Sequence, residues 1–406
     1  MQKVIIIGAG FGGLRAARML AGKGVDVLLI DQHNYHCFQP LLYQVATAGL
    51  EPEQIIYPVR AIIRKWQGVR FLMAQVQRIE RSSRQVHTSM GAFDYDHLII
   101  AAGGKTNFFG MESVAKYGFG LKTIDDAVNL RNHILRVFEQ ATYEQDRAKR
   151  AAMQTFVIVG GGPTGVELAG AIYELIRHVL VEDFPGLHMD DVQVQLLEAT
   201  DSILTMLPKK LQQRALERLR KIGVHVRLNT AVTAAALDHV QLKDGSTIPT
   251  HTLIWAAGVH GVEIVTSLEV AIQRGNRVAV TPELNLADDP YVYVIGDLAA
   301  LEQAGKPLPQ VAPVAMQQGE TAATNILRRR KHEKAQPFRY KDRGSMATIG
   351  RNAAVAHVFG ISFWGFSAWV VWLFVHLMSL VGFRNRLIVL INWAYNYISY
   401  ERAIRV

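Results

Sequence analysis

The feature that most narrows the possible folds lies at the start of the chain. Residues Lys3–Ile7, apolar after the first, run straight into Gly8-Ala9-Gly10-Phe11-Gly12-Gly13. A helical pattern follows, then a second apolar strand, Val25–Ile30, which ends at Asp31. Each glycine has a physical reason for its place. Gly8 permits the tight turn, Gly10 lets a pyrophosphate approach the backbone, and Gly13 lets helix and strand pack closely. The helix N-terminus adds unpaired N–H groups and the positive end of its dipole. Asp31, 18 positions after the last glycine, is placed to accept hydrogen bonds from a ribose diol. Strand, turn, helix, strand and acid together predict a dinucleotide-binding βαβ unit rather than a merely Gly-rich loop.

The same unit recurs. Phe156–Val159 leads into Gly160-Gly161-Gly162-Pro163-Thr164-Gly165, then a helix through about residue 180, then a strand Val192–Leu197 ending at Glu198. Gly160, Gly162 and Gly165 take the three glycine roles. The acid lies 33 positions after the last glycine, and Asp183-Phe184-Pro185-Gly186 reads as an inserted loop that accounts for the excess. A carboxylate at Glu198 suits a free 2′-hydroxyl and repels a 2′-phosphate, which favours NADH over NADPH. A strand-end surface glutamate is the plainer alternative. Two nucleotide units imply two nucleotides, and a nicotinamide with a flavin is the natural pair for hydride transfer. Two further strands, ending at Ala101-Ala102-Gly103 and Ala256-Ala257-Gly258, finish in small residues where backbone must approach backbone or cofactor. Gly296-Asp297 places a carboxylate just after the strand Val292–Ile295, where an N-cap would be role enough.

Composition excludes several classes. The 406 residues suggest two or three domains, and 50% hydrophobic against 19% charged rules out a disordered chain. Cys37 is alone, which excludes an internal disulfide, a CxxC pair and a cysteine-based zinc site. The 14 histidines show no HExxH or paired spacing, so no metal is expected. A net charge of +9 admits nucleic acid or anionic lipid as partner. The basic run Arg328–Lys334 reads as a solvated helix face, and no aromatics interleave with it as a nucleic-acid surface requires. The N-terminus enters a strand directly and lacks the pattern of a signal peptide, so the cytoplasmic side is expected.

The tail differs from the rest. Residues 352–383 contain no Asp, Glu, Lys or Arg, and four of the six Trp lie beyond residue 360. Gly360, Gly365 and Ser367 interrupt the first half; Ala368–Val381 and Leu387–Tyr400 are clean but short, with Arg384, Arg386, Arg402 and Arg405 at their flanks. That pattern predicts helices lying in a membrane interface more readily than a span, which needs about 20 apolar residues. His376 shares a helical face with Trp369 and Trp372, and reads either as a donor to a quinone or proton path or as an ordinary interface histidine. On this reading, cutting after Arg351 should leave a soluble flavoprotein.

On these residues the chain resembles a type II NADH:quinone oxidoreductase, within the two-dinucleotide-binding-domain flavoproteins. Asn34–Ala46, Gly296-Asp297, Ala312–Gly319 and the Trp-rich tail carry the likeness most specifically. The resemblance implies that the first turn holds FAD, the second holds NADH, and Asp297 meets the ribityl chain of the flavin. It implies a glutamate near nicotinamide and quinone at Glu167, and Gln317 as a quinone partner. Two departures stand out. Pro313 occupies a position where some members carry a glutamine, and Trp369–His376 lacks the lysine that some carry.

The expected fold is therefore α/β, with two Rossmann-like domains, the second inserted in the first, and a C-terminal membrane-associating helical module. The expected boundaries are 1–115 and 263–345 for the FAD domain, 116–262 for the NADH domain, and 346–406 for anchoring and quinone access. NADH oxidation with two-electron reduction of a membrane quinone, without proton pumping, is the expected activity. The expected partners are the quinone and a lipid surface, with a homodimer through the tail left open and no nucleic acid. An NADH-dependent reductase of another acceptor such as a ferredoxin, or a non-catalytic NADH-sensing membrane flavoprotein, would share the two turns.

Overall fold

The computed structural model describes residues 1–188 and 191–399, so Tyr400, Arg402 and Arg405 lie outside the described residues. The chain divides into two compact units. The first comprises Met1–Cys37, Ile56–Lys105 and Val259–Asp342; the second comprises Phe38–Ile55, Thr106–Gly258 and the chain from Arg343 on.

In the first unit, five parallel strands run in the order Val292–Val294, His97–Ile100, Gln2–Ile7, Val25–Asp31, Val69–Met73. The register pairs Val4 with Val27 and with His97, so the Gly8 turn emerges at the C-terminal edge of the sheet. The central strands are apolar on both faces because both are covered, one by helices and the other by the ribbon residues Ile79 and Val86 together with Val265 and Leu268. Phe11–Leu20 packs on one face, burying Leu14, Ala16, Ala17 and Leu20.

The second unit repeats this plan. Its parallel sheet runs Gly118–Phe119, Thr252–Trp255, Thr155–Val159, Gln193–Leu197, His225–Arg227. The repeat extends further than the two turns. Each unit carries a three-stranded antiparallel ribbon before its return strand: Val76–Glu80, Gln85–Thr88 and Gly91–Asp94 in one, Val232–Ala235, His239–Leu242 and Thr247–Pro249 in the other. The second nucleotide-binding region interrupts the first in sequence, which is the expected insertion.

Three expectations need refinement. The helix before Glu198 runs slightly further than expected, Pro163–Leu175 continuing through a π-helical turn, Ile176–Leu180, to Asp183, with the loop beginning at Phe184. The tail is not purely helical. The start of its uncharged run, Ala354–Val358 and Ile361–Gly365, joins Gly344–Thr348 in an antiparallel sheet before the helices Phe366–Ser379 and Phe383–Ser399. A short apolar run looks alike as strand or helix, which is why periodicity did not separate them. Arg351 lies in the loop between the first two of these strands, so a cut there severs the sheet rather than freeing a tail. Finally, the basic run is only partly a helix face: the helix ends at Arg330, and Arg330–Lys334 are exposed while Arg328 and Arg329 are half-buried. Arg328 pairs with Glu333, Arg329 covers the Tyr291 ring and Arg330 donates to the Lys23 carbonyl, all at the C-terminal end of a helix whose dipole favours cations.

Candidate active site

Steric facts fix the first turn. Gly8 has φ +102°, and a Cβ on Gly13 would collide with the Gly8 carbonyl oxygen. At Gly10 a Cβ would meet nothing within 4 Å, so the loop backbone is open there. Asp31, at the end of the second strand, accepts the Ala9 N–H at 2.7 Å and the His33 N–H at 2.8 Å. His36 closes the other side of the same residue, with Nδ1 3.1 Å from the Ala9 carbonyl oxygen. Burial holds the His36 ring below its ordinary pKa, and a carbonyl can only accept, so Nδ1 carries the proton. His36 lies inside the Asn34–Ala46 motif, yet its grip on the turn depends on a tertiary contact that sequence spacing does not reveal.

The second turn has the same construction. Gly160 has φ +112°, a Cβ on Gly165 would collide with the Gly160 carbonyl oxygen, and Gly162 again faces open space. Glu198 Oε2 accepts the Gly161 N–H at 2.6 Å, while Oε1 accepts from Thr200 N–H and Oγ at 2.8 Å each. In both units, then, the strand-end acid braces the middle of its own glycine turn. Both cradles leave bare backbone at the helix N-terminus where a pyrophosphate seats, so the residues fit a dinucleotide twice over.

Asp297 follows the strand Val292–Val294 in a single 3₁₀ turn, Gly296–Leu298, and is half-buried. The Gly296 N–H donates to the buried Gln318 Oε1 at 2.7 Å, and Gln310 donates to the Asp297 carbonyl at 2.9 Å. Gln318 was not foreseen; it pins the turn that presents Asp297. Its neighbour Gln317 makes a closed pair of bonds with Lys341, accepting from its N–H and donating to its carbonyl, both at 3.0 Å. One N–H of the Gln317 amide lies outside that pair.

Glu167 sits in the first turns of the helix that follows the second glycine turn, and it is buried. Its Oε1 accepts two bonds, from the Trp372 Nε1–H at 3.1 Å and the Thr348 N–H at 3.3 Å. Burial outweighs both and raises its pKa to about 8. The carboxyl is therefore mostly neutral at pH 7, and with Oε1 occupied as an acceptor its proton rides on Oε2. Tyr43 Oη and Thr348 Oγ1 are 3.1 Å apart, and Gln44 donates to the same phenol at 3.0 Å.

His376 joins this cluster through Trp372. The rings stack at 3.9 Å, and Nδ1 lies 2.9 Å from the Trp372 carbonyl oxygen. Burial lowers the His376 pKa to about 4, so the ring is neutral and its one proton is on Nδ1. Nε2 is then a lone pair. In this arrangement His376 has no ring N–H left to donate, so the expected donor is able only to accept, through Nε2. The helical spacing marks Trp372 only as a face-mate of His376, although a buried indole N–H needs an acceptor and signals a polar neighbour. The structure thus brings Glu167 and His376 together at Trp372, while Gln317 and Asp297 belong to the first unit.

The last helix has inverted amphipathicity. Asn385 donates to the Gln54 carbonyl at 3.1 Å, Asn396 to the Gly49 carbonyl at 3.0 Å, and Trp393 to Gln44 Oε1 at 2.8 Å. Phe383, Leu387, Leu390, Ile391 and Ile398 are exposed instead. Phe366, Val370, Phe374 and Met378 form a similar exposed stripe on the preceding helix. No described helix is long and apolar enough to cross a membrane. Among the described residues, no group of three His, Cys, Asp or Glu is placed to hold a metal. Burial pushes the Cys37 thiol up to about 12, which leaves it un-ionised.

Comparison with known proteins agrees with this construction. The pyridine nucleotide-disulphide oxidoreductase family matches residues 2–319, and the NDH2 C-terminal domain matches residues 343–399. The type II NADH:quinone oxidoreductase Ndh of Mycobacterium tuberculosis is 39% identical, covering 99% of this chain and 89% of its own. A type II NADH:quinone oxidoreductase of Staphylococcus haemolyticus is 30% identical over 88% of this chain and 90% of its own. Among solved structures, NDH2 from Plasmodium falciparum in complex with NADH superposes with TM-score 0.91 at 20% identity, covering all of both chains. A sulfide:quinone oxidoreductase from Aquifex aeolicus shares the fold, with TM-score 0.74 at 18% identity over 95% of this chain and 92% of its own.

Proposed function

Since the chain belongs to the type II NADH:quinone oxidoreductases, we propose that it oxidises NADH and reduces a membrane quinone by two electrons without pumping protons. The observation that carries this reading is the doubled cradle, two glycine turns each braced by its own acid, in a chain of this family. Gly8, Gly10, Gly13, Asp31 and Asp297 hold FAD; Gly160, Gly162, Gly165 and Glu198 hold NADH. When bound, FAD supplies the relay that takes hydride from nicotinamide and gives electrons to quinone. Asp31 and Glu198 keep lone pairs beyond those used on the turns, and these meet the ribose hydroxyls.

Glu167, Gln317 and His376 serve the quinone. A neutral Glu167 holds a transferable proton on Oε2 at pH 7, where an ordinary carboxylate has lost it. Gln317 offers its second amide N–H to a quinone carbonyl, and His376 Nε2 accepts from a quinol hydroxyl. The division into an FAD domain (1–115 and 263–345), an NADH domain (116–262) and an anchoring region (346–406) follows these roles. The exposed apolar stripes of the last two helices lie on a lipid surface, on the cytoplasmic face where NADH is found. Eight large apolar side chains moved into lipid, at about 1.5–3 kcal/mol each, give more than enough to hold the protein there.

The test is spectroscopic. Under anaerobic conditions NADH should bleach the bound flavin, and a membrane quinone should restore its colour within one turnover. A flavin that NADH leaves oxidised would overturn the reading.

A further inference from the structure

We propose that the hairpin tip at Phe359, with the cationic start of the helix Lys209–Ile222, is a second lipid-docking element that recognises anionic phospholipid headgroups. It is separate from the apolar stripes of the last two helices, and it rests on the reading that the protein docks on a membrane.

The tip breaks a local rule. Val358 pairs with Ile361, which leaves a two-residue turn of Phe359 and Gly360 with φ values of +49° and +82°. Turns that are left-handed at both positions favour Asn-Gly, because a Cβ is strained there. Phe pays that strain while 77% exposed, so in water it gains almost nothing from being aromatic. Its neighbour Ile361 is 60% exposed. A residue that costs the turn and buries nothing is explained by an occupant that buries it. The strand Ile361–Gly365 is also the outer strand of its sheet.

The charges break a second rule. The helix Lys209–Ile222 opens with two lysines and has no acid in its first turn, so both cations oppose the positive end of the dipole. Both are exposed, and among the described residues neither pairs with a carboxylate. Lys210 and Arg214 lie over the half-exposed Trp364 ring of the hairpin, at 5.3 and 5.7 Å from its centroid. Arg214 shares its charge with Glu217 at 3.5 Å, so the two lysines are the part of the cluster whose charge no described carboxylate offsets. Arg343, also exposed, accepts the Phe359 N–H on its carbonyl and brings a further cation to the tip. An apolar wedge, an indole at its root and cations around it match the hydrocarbon edge, the interface and the headgroups of an anionic bilayer in that order.

The experiment uses the full chain loaded with flavin and measures binding to two vesicles: phosphatidylcholine alone, and phosphatidylcholine with phosphatidylglycerol. The wild type should prefer the anionic vesicle. Phe359→Asn installs the favoured turn, so its melting temperature should equal or exceed the wild type while its affinity for both vesicles falls about tenfold. Lys209→Gln with Lys210→Gln should cut the preference for the anionic vesicle by about fivefold per lysine. If the wild type binds neither vesicle, the membrane reading falls and this inference with it. If the wild type binds and Phe359→Asn binds equally well, or changes the oligomeric state instead, this inference alone is overturned. A wild type without preference between the vesicles overturns the headgroup claim directly.

Discussion

Replacing Glu167 with Gln tests the buried acid without disturbing its surroundings. The amide oxygen can keep accepting from Trp372 and Thr348, and the amide nitrogen takes the place of the protonated Oε2. What the substitution removes is ionisation. The Glu167 pKa is about 8 in the folded protein against an ordinary 4.5, so the folded state holds its proton more tightly than the unfolded chain. The linkage follows from that sign. The stability contributed by the neutral carboxyl is fully present below pH 4.5 and is lost as pH rises towards 8, at about 1.4 kcal/mol per pH unit. By pH 7 the wild type has given up roughly 3 kcal/mol that Glu167→Gln retains. Thermal melts of the flavin-loaded proteins from pH 5 to 8 would read this as a difference. The melting temperature of Glu167→Gln minus that of the wild type should grow with pH, by a few degrees over the range, and level off above pH 8. Every other titrating group cancels in the subtraction. A difference that stays constant with pH would refute the buried, protonated carboxyl.

Two further outcomes follow from the cradles. Glu198→Arg should raise the kcat/KM ratio of NADPH to NADH by roughly thirtyfold, from about 2 kcal/mol of charged hydrogen bonding; because Glu198 also braces the Gly161 N–H, the KM for NADH should rise as well. An unchanged ratio would show that the ribose lies elsewhere. Asp297→Ala should purify with a reduced FAD content, its FAD affinity lowered about ten- to a hundredfold; full FAD occupancy with collapsed NADH affinity would mean that the two turns had been assigned in reverse.

The glycine turns were legible because their constraints are local. Gly8 and Gly13, or Gly160 and Gly165, approach each other within one short loop, so the steric reason for each is present in a window of six residues. The acids were legible as residue types but not in their full part. Asp31 and Glu198 were expected to face a ribose, and what the structure shows is the brace each gives its own turn. The environment of Glu167 was not legible, since its partners Thr348 and Trp372 lie 181 and 205 positions away. Nothing in a sequence window reports that a buried indole N–H and a strand N–H converge on one oxygen. The antiparallel ribbons escaped notice for another reason. Strands such as Val76–Glu80 and His239–Leu242 are short and half-exposed, so their alternation is too brief to stand out from loop. The tail misled most, because a run without charge is equally suited to lipid and to a buried sheet. Ala354, Val355 and Ala356 are buried in protein, while Phe366 and Phe374 face outward.

That division within one module bears on how the site keeps its acid neutral. The last helix turns asparagines and an indole inward, onto residues 44–54, and turns phenylalanine and leucine outward. In water such a helix gains little from burial on its outer face, so its seat rests on the inward side, where Val389 is fully buried, Trp393 packs on the Trp372 ring and a few hydrogen bonds contribute about 1 kcal/mol each. On the proposed reading a lipid surface prefers the seated form, and any ligand that prefers one state stabilises it. The indole of Trp372 belongs to the same module, and it covers Glu167 as it donates to it. With the module displaced, Glu167 would regain water and its pKa would fall back towards the ordinary carboxylate range. The packing that seats the tail and the packing that keeps Glu167 protonated therefore meet at Trp372, which touches Trp393 of the last helix while it donates to Glu167.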